Sequence, residues 1–153
     1  MKIKVYIIDK KGKKEIYDPL VQHYIKIAKP FAKIEVIELF SNTIAKAQEI
    51  NAKMAKESYT KAFMPFLAGN FNIALTPEGK EVDSFEFAKL LQKQANIAFY
   101  VGGAYGFEEK FLKSCQKEVS FGKITLSHKL VKVVLLEQIY RGLSIINNHP
   151  YHK

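Results

Sequence analysis

The chain has 153 residues, of which 48% are hydrophobic, 12% aromatic and 25% charged. That composition excludes disorder and collagen-like or linker sequence, and no run approaches the roughly 18 consecutive apolar residues of a membrane helix. Lys+Arg number 24 against 15 Asp+Glu, a formal charge of +9, which favours polyanionic partners such as nucleic acid or the ribosome over a merely lysine-coated surface.

The single cysteine, Cys115, cannot form an internal disulfide and cannot build a zinc site alone. Met1 to Tyr6 lacks the pattern of a signal peptide, so a reducing, cytoplasmic home is the simplest expectation. Charge is unevenly spread. The first 14 residues carry six lysines against Asp9, and after Glu118 the only acid is Glu137. Of the 24 basic residues only Arg141 is an arginine, and its planar fork suits bidentate contact to a phosphate, carboxylate or base edge.

In chain order, Ile3, Val5, Ile7 and Ile8 predict a strand closed by the basic turn Asp9 to Lys14. A helix over 15–29 follows, with Ile16, Leu20, Tyr24 and Ile27 at helical spacing and Pro30 stopping it. Ile34 to Leu39 read as a second strand. Ser41 or Asn42 caps a long helix through about Tyr59. Phe71, Ile73 and Leu75 predict a third strand, ended by Thr76-Pro77-Glu78-Gly79. Asp83 and Glu86 have capping-box spacing for a helix over 84–95. The apolar run Ile97 to Val101 suits a strand covered on both faces. Gly102 to Gly106 then lead into a short helix near 107–116, a strand near 118–121, a helix from Ser127 to Leu143, and a tail from Asn147.

Repeated strand–helix alternation predicts an α/β fold, a mostly parallel sheet flanked by helices. No repeat or linker divides the chain, so residues 1–153 read as one domain. Ligands of such sheets sit beyond the carboxyl ends of the strands, which directs attention to the loops after Leu75, Val101 and Phe121.

Phosphate-cradling motifs, HExxH and G-x-S-x-G are all missing. What remains is Gly102-Gly103-x-x-Gly106 after a buried strand, where the backbone is free to approach a ligand or simply to turn tightly. Gly122 to His128 form a second loop feeding a helix. The tail His149-Pro150-Tyr151-His152-Lys153 gathers titratable and stacking groups able to close over a nucleobase, or to fray as chain ends do.

Leu75-x-x-x-Gly79-Lys80, Ser84-x-x-Phe87-Ala88, Val101-Gly102-Gly103-Ala104-x-Gly106, Thr125-Leu126-Ser127-His128, Leu135 to Arg141 and Pro150-Tyr151-His152-Lys153, in that order, resemble a known family. It is the large-subunit ribosomal RNA pseudouridine N3-methyltransferases called RlmH, of the SPOUT class. The resemblance spans nearly the whole chain. It implies a C-terminal trefoil knot, a homodimer, and S-adenosyl-L-methionine as methyl donor. The implied substrate is a pseudouridine of 23S rRNA on the assembled 70S ribosome, with no metal and no membrane. Carried over by motif, the cofactor contacts are Leu75, Gly103, Gly122, Lys123, Ile124, Thr125, Leu126 and Ser127.

The base-handling candidates are His128, Arg141, Tyr151 and His152. Either histidine suits acceptance of the N3 proton, Arg141 a developing imide anion or a phosphate, and Tyr151 stacking on the base. Thr76, Ala104, Ser127 and Lys132 depart from the family pattern, which carries Asp, Pro, Pro and Arg there; the last bears on an RNA contact. Two other readings stay open: a non-catalytic RNA-binding protein of this fold, and a methyltransferase for another base.

Overall fold

The computed structural model describes all residues, Met1–Lys153. Strand β1 is Lys2–Ile8, helix α1 Asp18–Ala28, β2 Lys33–Leu39, α2 Asn42–Ile50 and α3 Ala52–Phe63. A short 3-10 turn, Met64–Phe66, precedes β3, Phe71–Glu81. Then come α4 (Ser84–Leu91), β4 (Asn96–Val101), α5 (Glu109–Lys113), β5 (Lys117–Ser120) and α6 (His128–Ile146). The five strands form one sheet in the order β2-β1-β4-β3-β5, every pairing parallel.

Alternation in β1 explains the layering. Ile3, Val5 and Ile7 point to one face, where α1, α4 and α6 supply Val21, Phe87, Leu91, Leu135, Leu136 and Ile139. Tyr6 and Ile8 point to the other, against Ile44, Tyr59, Phe63 and Phe111 of α2, α3 and α5. In β4, Ile97 to Val101 are buried throughout, as expected of a strand covered on both sides.

Several predicted elements hold with revised bounds. The capping box is present: the Glu86 backbone N–H donates to Asp83 Oδ1 at 2.8 Å and the Glu86 carboxylate accepts from the Asp83 N–H at 3.0 Å. That helix ends at Leu91 and not 95, where Lys93 turns left-handed (φ 66°). Helix α1 begins at Asp18 and not 15, because the Asp18 carboxylate accepts from the Glu15 N–H at 3.2 Å and Pro19 follows.

The single long helix predicted from Ser41 to Tyr59 is two helices. Asn51 is extended (φ −169°, ψ 173°) and its Oδ1 accepts from the Met54 N–H at 2.8 Å, so it ends α2 and caps α3. Strand β3 does not stop at Thr76. Its ladder with β5 breaks after Leu75 and resumes at Lys80, leaving Thr76–Gly79 as a bulge.

Candidate active site

Adjacent strands β4 and β3 hand the chain off in opposite directions, the former towards β5 and the latter back to β4. Beyond their carboxyl ends lies a cavity of about 660 Å³, inside the usual range of roughly 300–1,000 Å³ for small-molecule sites. Three loops enclose it: Leu75 to Glu78, Gly102 to Phe107, and Phe121 to His128 without Lys123.

Each loop has a local cause. A Cβ on Gly103 would sit 2.6 Å from the ring carbon Cζ and hydroxyl of Tyr59, which is fully buried beneath it. Tyr59 donates its hydroxyl to Gln48 Oε1, and burial pushes its phenol up to about 12. Gly106 has φ +79° and donates its N–H to the Gly103 carbonyl at 3.1 Å, closing the turn. After β5, the Ser120 hydroxyl donates to the Gly122 carbonyl at 2.8 Å, and Ser127 Oγ caps α6 by accepting from the Leu130 N–H at 3.3 Å.

The lining is apolar and backbone-rich, and Glu78 is its only carboxylate. Thr76 donates its hydroxyl to that carboxylate and holds it below the usual range. The cavity therefore offers adaptable backbone groups, an apolar wall and one anion, which suits a cationic, phosphate-free small molecule.

At the rim, His128 Nε2 lies 3.0 Å from Asp9 Oδ1, and Lys129 Nζ 3.0 Å from Asp9 Oδ2. Lys129 also pairs with Glu15, which lowers the carboxyl of Glu15 and raises the ammonium of Lys129. Asp9 is buried at the end of β1. A carboxylate only accepts, so His128 donates from Nε2, and in the neutral imidazole the lone pair then falls on Nδ1.

One turn further along, Lys132 is fully buried and donates to Glu38 Oε1 at 3.0 Å. A lysine at the position where the family pattern has arginine is thus an internal ion pair here, not an RNA contact. It leaves Glu38 Oε2 buried without a partner.

The other candidates form a separate cluster. Arg141 donates through Nε to Glu137 Oε1 at 3.1 Å, and its Nη2 reaches the same oxygen. Tyr151 donates its hydroxyl to Glu137 Oε1 at 2.9 Å, with its ring 4.8 Å from the Arg141 guanidinium carbon. Arg141 Nη1 lies 3.3 Å from His152 Nδ1. Guanidinium has no acceptor, so Nδ1 accepts and His152 keeps its proton on Nε2. His152 also meets Phe85 edge-on at 4.9 Å. The tail is thus docked on α6 and α4 and is not frayed.

Arg141, Tyr151 and His152 do not line the cavity of their own chain. The reason is helical geometry. Arg141 follows His128 by thirteen residues of α6, which is roughly 20 Å along the axis and about 140° around it. Lys123, also expected at the cofactor, is exposed on the rim loop and does not line the cavity.

Two features escaped the sequence. Asp9 and His128 are 119 residues apart in the chain. Lys132 shares the spacing of Leu135, Leu136, Ile139 and Leu143, and that periodicity was a usable signal for its burial.

Comparison with known proteins decides the family. A family model described as "Predicted SPOUT methyltransferase" matches residues 1–152. A protein of Sulfurovum sp. (strain NBC37-1) named ribosomal RNA large subunit methyltransferase H is 65% identical over 153 residues, covering 100% of both chains. The chain belongs to the RlmH family of SPOUT methyltransferases.

Solved structures agree on the fold. A probable methylase family protein from Haemophilus influenzae Rd KW20 aligns with TM-score 0.56 at 12% identity, over 99% of this chain and 70% of that one. Ribosomal RNA small subunit methyltransferase E from Neisseria gonorrhoeae, bound to S-adenosyl methionine, aligns with TM-score 0.50 at 14% identity, over 91% of this chain and 65% of that one. The three glycine- or turn-bearing loops meet at one cavity. No helix is long and apolar enough to cross a membrane.

Proposed function

We propose that the protein transfers a methyl group from S-adenosyl-L-methionine to large-subunit ribosomal RNA, at N3 of a pseudouridine in 23S rRNA on the assembled 70S ribosome. The observation that carries this reading is the cavity enclosed by the loops after β3, β4 and β5, in a chain 65% identical to a protein named as a large-subunit rRNA methyltransferase. Such work belongs in the cytoplasm. Membership of the family also supports the expected trefoil knot and single-domain organisation.

The residues fit the donor. The Gly102-Gly103 backbone, packed down on Tyr59, lines the cavity and can receive the adenine. Leu75, Ile124 and Leu126 supply apolar contact, and Glu78 an anion for a cationic ligand. When bound, the donor supplies a methyl group already activated by its sulfonium, so the protein needs neither metal nor covalent nucleophile. Its remaining work is alignment of an in-line transfer and removal of the N3 proton.

His128 is the better proton acceptor of the two histidines. Asp9 fixes its Nε2–H and leaves Nδ1 free, whereas His152 Nδ1 is occupied by Arg141. Arg141, held by Glu137, offers positive charge to the imide oxygens as the proton leaves, and Tyr151 offers its ring to the base.

His128 and Arg141 face different directions about 20 Å apart, so one nucleoside cannot touch both within a single chain. The reading therefore requires a homodimer in which the tail of one subunit completes the cavity of the other. The exposed apolar residues Ile124, Leu126 and Leu130 beside the cavity are suited to burial in that interface.

The test is mass mapping of 23S rRNA after ribosomes are incubated with the protein and labelled cofactor. Label on N3 of one pseudouridine is expected; label on another base, or none, refutes the assignment. Deletion of Tyr151 to Lys153 should leave calorimetric binding of the cofactor unchanged and abolish labelling.

A further inference from the structure

The cavity and the Arg141 cluster account for the two ends of α6 but not for the most basic stretch of the chain. Between Asp9 and Glu15 the sequence is Lys10-Lys11-Gly12-Lys13-Lys14, and all four lysines are exposed. None takes part in an ion pair.

The acids that could neutralise them are committed elsewhere. Asp9 faces His128, Lys129 and Lys132, and Glu15 faces Lys129 and accepts from the Gly12 N–H at 3.2 Å. Asp18 accepts from the Glu15 N–H, and Glu38 is taken by Lys132. Lys129 thus bridges both ends of the loop and pins it against the start of α6. One end, Asp9, is 3.0 Å from a residue that lines the cavity. The result is a clamped loop that presents unpaired ammonium groups and is tied through Asp9 to the lining residue His128, with Lys123 exposed on the loop before α6.

We infer that the Asp9–Glu15 loop is an RNA-docking element that grips the phosphate backbone beside the target nucleotide. It rests on the reading of the substrate as RNA, and adds where that RNA is held. Because one ammonium holds both ends, the loop is a compact turn that gathers four lysine charges against a few neighbouring phosphates. Lysine is suited to this, since a point charge grips phosphate without reading sequence. The clamp keeps the grip close to the chemistry and stops the acids of the loop from cancelling it.

The experiment replaces Lys10, Lys11, Lys13 and Lys14 together with glutamine. A control carries Lys2, Lys26, Lys29 and Lys93→Gln, four exposed lysines at the opposite end of the sheet. Binding of full-length protein to purified 70S ribosomes is measured from 50 to 300 mM salt, with cofactor affinity by calorimetry as a check of the fold.

The loop variant should bind more than about tenfold more weakly at 0.15 M salt, with a log–log salt slope shallower by about 3, while the control stays near wild type. Equal losses in both variants, or a wild-type slope in the loop variant, would overturn the docking role. So would binding of the loop to phosphatidylglycerol vesicles with unchanged ribosome affinity. Because binding is read without turnover, failure of the wild type to label rRNA would refute the enzymatic reading and leave this result to stand or fall alone.

Discussion

Replacing Gly103 with alanine puts a methyl carbon 2.6 Å from Tyr59 Cζ and its hydroxyl oxygen and 3.0 Å from Cε2. Ordinary van der Waals contact starts near 3.4 Å, so roughly 0.8 Å of movement is needed. Tyr59 cannot supply it easily. It is fully buried, hydrogen-bonded to Gln48, and packed in the core beneath the loop. The loop must rise into the cavity instead, at the usual overpacking cost of about 1–3 kcal/mol.

If that cost falls on the bound state, cofactor affinity drops by about 5- to 150-fold. Gly106→Ala separates sterics from backbone strain. A Cβ there meets nothing within 4 Å, but φ is +79°, so the penalty is about 1–2 kcal/mol of dihedral strain. Asparagine, which tolerates that region, should recover most of it. Calorimetry with S-adenosyl-L-methionine and thermal unfolding read the series, with the Gly103→Ala effect largest and Gly106→Asn smallest. A Gly103→Ala protein with wild-type affinity and wild-type Tm would refute the claim that the loop is pressed down on Tyr59.

Other predictions are simpler. Arg141→Lys keeps the charge but not the paired contact to Glu137, and should lower methylation by about 10- to 100-fold with cofactor affinity unchanged; single-turnover labelling of ribosomes measures it. Lys132→Met leaves Asp9 and Glu38 without the buried ammonium between them, and urea unfolding should register a loss of about 3 kcal/mol. Lys132→Arg restores the residue of the family pattern and offers donors to the orphaned Glu38 Oε2, and should raise stability by about 1 kcal/mol.

Burial pushes both the Cys115 thiol and the Tyr59 phenol up to about 12. Their neutral forms stabilise the fold fully below their unfolded pKa values, and that contribution is lost as pH rises towards 12. The urea midpoint should therefore fall through the alkaline range, Tyr59→Phe should flatten the fall, and iodoacetamide at pH 8.5 should label Cys115 only in unfolded protein.

The sheet and the cavity were readable because their causes are local. Alternation in Ile3 to Ile8, the Asp83/Glu86 box, and glycines following the apolar run Ile97 to Val101 each act within a few residues. Asn51 was missed because a strong capper inside an otherwise helical pattern looks like any polar surface residue until its side chain takes the Met54 N–H. The Asp9–His128 pair was beyond reach, since only the packing of α6 beside β1 brings those residues together. The tail was seen as chemically rich, but its distance from the cavity depends on the unbroken length of α6.

That length has an evolutionary corollary. Inserting one residue between His128 and Glu137 would rotate everything beyond it by about 100° and advance it by about 1.5 Å, turning the Glu137–Arg141 pair together away from its present bearing on His128 and α4. Exposed turns far from the site can lengthen or shorten, whereas this helix can change its letters but not their number.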